Sequence, residues 1–87
     1  MYYFIVNPSS SSGKGMKIWK TVEKQLRTEH VPYHVFFTSR HTQGSELAKL
    51  ISSRHAPCTI VAVGGDGTVN EVINGLTNFD KIRFGYI

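Results

Sequence analysis

The chain has 87 residues, 40% of them hydrophobic and 18% charged, with ten Lys and Arg against six Asp and Glu for a formal net charge of +4. At one domain per roughly 100–200 residues this length excludes a multidomain machine, and the apolar content excludes intrinsic disorder. A single cysteine, Cys58, excludes a disulfide framework and a multi-cysteine zinc site, and points to a reducing, cytoplasmic setting.

Tyr2 to Val6 is an unbroken aromatic and β-branched run stopped by Asn7-Pro8, which predicts a first strand buried on both faces. With no basic residue before it, the run is too short for a signal peptide or a membrane span. Ser9 to Gly15 predicts a loop. Ile18, Trp19, Val22 and Leu26 then recur at helical spacing, predicting an amphipathic helix that ends near Val31-Pro32, with Lys17, Lys20, Lys24 and Arg27 on a solvated polar side. Tyr33 to Phe37 predicts a second strand, and a second helix from about Thr42 is expected to bury Leu47, Ala48, Leu50 and Ile51 before Pro57. Thr59 to Val63 is the third strand, Val69, Val72, Ile73 and Leu76 mark a third helix, and Arg83 to Ile87 a fourth strand. Repeated strand–helix alternation implies parallel strands with right-handed crossovers. The expected fold is therefore α/β: an open, doubly wound, Rossmann-like sheet of about four parallel strands with helices on both faces, forming one domain over residues 1–87.

Such sheets bind ligands at the carboxyl ends of their strands. Gly64-Gly65-Asp66-Gly67-Thr68 lies there, between a buried strand and a helix, where glycines permit close backbone approach and a helix N-terminus favours an anion. A plain tight turn capped by Asp66 or Thr68 is the simpler alternative. Asp66 would repel a phosphate directly, so its functional reading is a magnesium ligand or a general base; its structural one is a cap. Asn70 and Glu71 are read as presented to the same cleft or as an ordinary solvated first turn. The loop from Asn7-Pro8 to Gly15, with Lys14, could wrap a second side of a phosphate chain, but it is not a Walker A loop: Pro8 stands where that motif needs Gly, and Lys14 is followed by Gly15. Thr38, Ser39 and Arg40 end the second strand, where a hydroxyl and a guanidinium suit a nucleotide. His30 and His34 are split by Pro32, and His41 and His55 stand alone, so no histidine metal site is expected. Cys58 and Trp19 are read as packing residues.

Gly64-Gly65-Asp66-Gly67-Thr68-Val69-Asn70-Glu71-Val72 resembles the nucleotide loop of the diacylglycerol kinase catalytic-domain family, which includes bacterial lipid kinases and the sphingosine and ceramide kinases. Phe4-Ile5-Val6-Asn7-Pro8 is similar to that family's first strand and Asn-Pro turn, and Thr38 with Gly44-Ser45-Glu46-Leu47-Ala48 to a looser third element. Ser11 stands where many members have a glycine. NAD kinases and phosphofructokinases share the Gly-Gly-Asp-Gly core, while the Asn70-Glu71 continuation and the Asn7-Pro8 turn resemble the lipid kinases more.

The resemblance implies ATP and Mg²⁺ as cofactors, with Asn7, Thr38, Gly64, Gly65, Asp66, Gly67, Thr68 and Asn70 binding nucleotide; Pro8, in the Asn-Pro turn, and Arg40, at the end of the second strand, are added as binding candidates by their position. It makes Asp66 and Glu71 the catalytic candidates for γ-phosphoryl transfer to a diacylglycerol-like lipid hydroxyl. The family continues into a Gly-Thr-x-Asn-Asp segment and a β-rich, lipid-binding domain, so residues 1–87 are expected to be an amino-terminal part that alone binds nucleotide weakly and catalyses nothing. Peripheral contact with the inner face of the membrane is implied for the full protein. The rival readings are an NAD kinase and a catalytically silent module in which Phe84 to Ile87 pairs with a second copy as a homodimer. No nucleic-acid partner is expected at a charge this modest.

Overall fold

The computed structural model describes Met1–Ile87 apart from the side chain of Ser11, so the Ser-for-Gly exchange noted there lies outside the described residues. Four strands, β1 (Tyr2–Val6), β2 (Tyr33–Phe37), β3 (Cys58–Val63) and β4 (Ile82–Tyr86), alternate with helices α1 (Ser10–Thr28), α2 (Gly44–His55) and α3 (Asp66–Gly75). A 3₁₀ turn over Phe79–Lys81 leads into β4. The strands form one parallel sheet in the order β2-β1-β3-β4, with Tyr2 opposite both Tyr33 and Thr59, and Cys58 opposite Ile82.

Side chains alternate across a strand, and β1 uses both faces. Tyr3 and Ile5 join Ile51, Ile60, Ala62 and Val72 in a core under α2 and α3, while Phe4 and Val6 join Trp19 and Val63 under α1. This double burial is why the β1 sequence lacks polar alternation. Trp19 is 2% exposed and packs its ring 5.0 Å from Phe4 and 5.7 Å from Tyr33. Cys58 is buried, as its packing role requires, and burial pushes its thiol up.

The structure departs from the sequence reading at several points. The Ser9 to Gly15 loop is largely taken into α1, which starts at Ser10. Gly15 draws the segment in, because it lies against the Asn7 carbonyl so closely that a Cβ there would stand 2.1 Å from the oxygen. The turn is irregular, with left-handed backbone at Ser12 (φ 58°) and Gly13 (φ 93°). The first helix ends at Thr28, and α2 starts at Gly44 instead of Thr42, because Ser39 and Thr42 close a tight turn before it. Ile18, Leu50 and Ile73 are exposed. Ile18 and Leu50 lie about 100° round their helices from the buried stripe. Ile73 lies about 100° round α3 from the buried Val72 and is likewise outside the core.

The α2–α3 pair is tight. A Cβ at Gly75 would sit 2.1 Å from the Ser45 carbonyl oxygen. Ser52, fully buried, donates to the Ala48 carbonyl (2.6 Å) and accepts from the Thr77 amide (3.0 Å), while the Asn78 side chain donates to the Ser52 carbonyl (3.1 Å). These bonds fasten the segment that follows α3 to the last turn of α2. We expect Gly75→Ala to destabilise the fold by about 1–3 kcal/mol, the usual cost of overpacking. Gly85→Ala, whose Cβ meets nothing within 4 Å, should be near neutral. Thermal unfolding followed by circular dichroism checks both; equal melting temperatures for the two variants would contradict the packing described here. Cys58 should react with a disulfide reagent at neutral pH far more slowly in the native protein than in denaturant, measured by absorbance of the released thiolate.

Candidate active site

The strand order reverses between β1 and β3: one half of the chain leaves β1 toward β2, the other leaves β3 toward β4. A crevice therefore opens at their carboxyl ends. Asn7 stands at that point. Its backbone N–H donates to the Val63 carbonyl (2.9 Å), and its Nδ2 donates to the Thr68 hydroxyl (3.2 Å). Its Oδ1 accepts from the Ser9 amide (3.1 Å), and its carbonyl accepts from the Ser10 hydroxyl (3.1 Å). One side chain and one carbonyl thus tie β1 to α1 and α3.

Opposite Asn7, the glycine loop turns β3 into α3. Gly64 is required by close approach: a Cβ there would lie 2.6 Å from the Thr68 hydroxyl. Gly65 caps α3 without a side-chain bond, and the first amides to return to its carbonyl are those of Thr68 (3.0 Å) and Val69 (3.2 Å). The Asp66 and Gly67 amides precede the first intrahelical bond, so they remain as donors at the positive end of the helix. Space in front of them is open, since a Cβ on Gly65 or Gly67 would meet nothing within 4 Å. Thr68 is 3% exposed and its hydroxyl is spent on Asn7, so it fixes the loop without capping the helix. Asp66 is exposed and makes no side-chain cap either. The simple capped turn is not what the structure shows.

Beside this loop lies a crevice of about 320 Å³ lined by Asn7, Ser9, Thr38, Ser39, Arg40, Gln43 and Glu71, within the size range of small-molecule sites. Thr38 is held by its amide on the Val6 carbonyl (2.8 Å), and the Ser39 hydroxyl accepts from the His41 and Thr42 amides (3.2 and 3.1 Å), which shapes the β2–α2 turn. Glu71 is half-buried and its Oε2 lies 3.3 Å from where a Cβ on Gly44 would stand, so the glycine opening α2 leaves room for the carboxylate.

The candidates therefore separate into two groups. Asn7, Thr38, Arg40 and Glu71 line the crevice, and Gly64, Gly65, Asp66, Gly67 and Thr68 form the loop at its side. Pro8 is half-buried behind Asn7, and Asn70 is exposed on α3 outside the crevice wall, so the pairing of Asn70 with Glu71 in one cleft does not hold. Asp66 and Glu71, five residues apart, project about 140° from each other. Ser9, from the loop after β1, and Ser39, from just past the end of β2, complete the lining together with Gln43, which the sequence did not single out. The only signal for Gln43 is its position in the connection that follows β2. Among the described residues no group of three His, Cys, Asp or Glu side chains is arranged to hold a metal, so a cation here would draw on one or two carboxylates and its ligand's own oxygens.

The diacylglycerol kinase catalytic domain family matches residues 1–87. The chain is 32% identical over 88 residues to the protein named "Putative lipid kinase YtlR" of Bacillus subtilis (strain 168), covering 99% of this chain and 28% of that protein. It is 38% identical over 72 residues to "Ceramide kinase" of Arabidopsis thaliana, covering 80% of this chain and 12% of the relative. Over 89 residues it is 32% identical to "Acylglycerol kinase, mitochondrial" of Xenopus laevis, covering 94% of this chain and 20% of the relative. The chain thus spans well under a third of the length of these relatives. Matched from its first residue to its last, it belongs to the diacylglycerol kinase catalytic domain family.

Proposed function

We propose that the chain supplies the nucleotide-binding part of an ATP-dependent lipid kinase, in which the γ-phosphate of ATP passes to a lipid hydroxyl. The observation that carries this reading is the joint at the switch point: the Asn7–Thr68 bond holds a glycine loop, with free amides and open space before it, against a crevice lined by hydroxyls, a guanidinium and a carboxylate. Phosphates fit the loop, where the α3 N-terminus and the Asp66 and Gly67 amides offer donors. The nucleoside fits the crevice, with Thr38, Arg40 and Glu71 within reach of its hydroxyls and base.

Phosphoryl transfer needs positioning and charge neutralisation more than covalent chemistry. Magnesium, when bound, neutralises the phosphate oxygens, and Asp66 beside the loop is the carboxylate placed to hold it or to take the acceptor's proton. The acceptor oxygen attacks the γ-phosphorus, the bond from that phosphorus to the oxygen bridging the β- and γ-phosphates breaks, and ADP leaves. Glu71 faces the nucleoside side, so its part in catalysis is to orient the nucleotide. The acceptor class is taken from the names of the relatives, which specify ceramide, acylglycerol or lipid.

Gly67→Ala should leave the melting temperature unchanged, because the Cβ enters open space, yet weaken ATP binding at least about tenfold by calorimetry, since that space is the phosphate's. Wild-type ATP affinity in this variant would overturn the reading. In a protein of the relatives' length, Asp66→Asn should lower lipid phosphorylation by about 10²–10⁴-fold, measured by transfer of labelled phosphate to a lipid extract. Label arriving on NAD instead would reassign the acceptor, and the 87-residue chain alone is expected to transfer none.

A further inference from the structure

A second cavity lies at the opposite end of the sheet from the crevice. It measures about 210 Å³ and is lined by Pro57, Cys58, Thr59, Lys81 and Arg83, at the amino ends of β3 and β4. We infer that it binds a single soluble phosphate group, free or at the end of a small phosphomonoester.

The sheet sets the positions of its donors. In the parallel register Thr59 stands beside Arg83 and Cys58 beside Ile82, so the Thr59 hydroxyl and the Arg83 guanidinium come from neighbouring points on one face. The Thr59 amide donates to the Met1 carbonyl (3.1 Å), which holds β3 from its other side. Lys81 ends the 3₁₀ turn, and its amide donates to the Asn78 carbonyl (2.8 Å), while the Asn78 side chain is bound to the Ser52 carbonyl of α2. The backbone around the cavity is therefore fixed before any ligand arrives, which lowers the cost of binding.

Charge gives the ligand its sign. Lys81 and Arg83 are exposed and neither is in an ion pair, since among the described residues the only one joins Arg27 to Glu23. Asp80 is next to Lys81 in the chain but lies beyond ion-pair distance of both cations. The lining holds no carboxylate, and burial pushes the Cys58 thiol up, so the thiol brings no negative charge at neutral pH.

Geometry narrows the class. A guanidinium presents a planar fork that takes two oxygens, and the ammonium and the hydroxyl take others. A phosphate has oxygens enough to meet all three groups, whereas a carboxylate has only a pair. The volume is below the roughly 300 Å³ at which pockets for drug-sized ligands begin, so a whole nucleotide does not fit. No aromatic ring lines the cavity for a base to stack on. Thr59 and Gly64 are about 16 Å apart along β3, so the cavity is separate from the glycine loop.

The test is a titration of the isotope-labelled 87-residue protein with sodium phosphate at neutral pH, followed by amide chemical shifts, with sodium chloride adjusted to hold ionic strength constant. Saturable shifts are expected at Cys58, Thr59, Lys81 and Arg83, with a Kd on the order of 1 mM. Lys81→Gln/Arg83→Gln should weaken this binding at least about tenfold, and Arg83→Lys, which keeps the charge and loses the fork, at least about threefold. The glycine loop offers phosphate donors as well, so its amides are followed separately: shifts at Gly65 to Thr68 should survive the double variant, and Gly67→Ala should remove them while those at Thr59 and Arg83 persist. Failure of the nucleotide site and failure of this one are thereby told apart. Glycerol 3-phosphate should give the same pattern at Thr59 and Arg83, and acetate at equal ionic strength should give none. Equal shifts with acetate, shifts that do not saturate, or shifts unchanged in the double variant would each overturn the inference. Circular dichroism confirms that each variant is folded, and if one is not, the contrast of phosphate with acetate in the unmodified protein decides.

Discussion

Everything the site can do depends on where Asn7 places its side chain and its carbonyl. The residue ends the strand that lies at the centre of the sheet, and its groups reach in three directions: to the neighbouring strand through the Val63 carbonyl, to the glycine loop through Thr68, and to the start of α1 through Ser10. A part-buried amide of this kind is costly to leave unpaired, so the two loops are held to one geometry. Pro8 follows it and prevents the strand from continuing. The Asn-Pro pair is thus a junction first, and its value to a ligand follows from that.

The parts of the fold that were legible in the sequence are those set by burial. The double-faced apolar run of β1, the Trp19 stripe of α1 and the order of strands and helices all follow from side-chain periodicity, and the structure has them. Ile18, Leu50 and Ile73 were misread because periodicity locates a stripe but not its margins, and a small sheet does not cover the flanks of its helices. The start of α1 was misread for a different reason. Serines and glycines signal a loop locally, whereas the close contact of Gly15 with the Asn7 carbonyl is a tertiary constraint.

The site was legible in kind and only partly in arrangement. Glycines before a helix predict an anion-binding turn whatever surrounds them, and the open space before Gly65 and Gly67 accords with that. Helical spacing in the first turn of α3 did not reveal which side of it would face the crevice, because that depends on how α2 packs. Gly44 and Gly75 let the two helices approach so closely that Glu71 is brought to the crevice wall while Asn70 stays outside. Ser39 and Gln43 owe their places to the β2–α2 turn, whose shape rests on side-chain bonds no residue pattern announces.

The separation of Asn7 from Thr68 by 61 positions in the chain bears on how the protein is made. All the strand pairings are parallel and bridged by helices, so β1 meets its partners only through long loops. During synthesis the first strand emerges with its two apolar faces bare, and β2 can cover only one of its edges. The other edge waits for β3, and the junction at Asn7 waits for the glycine loop after it. The binding site is consequently among the last features of this segment to exist, and the central strand stays unsatisfied until β3 and the glycine loop have followed it.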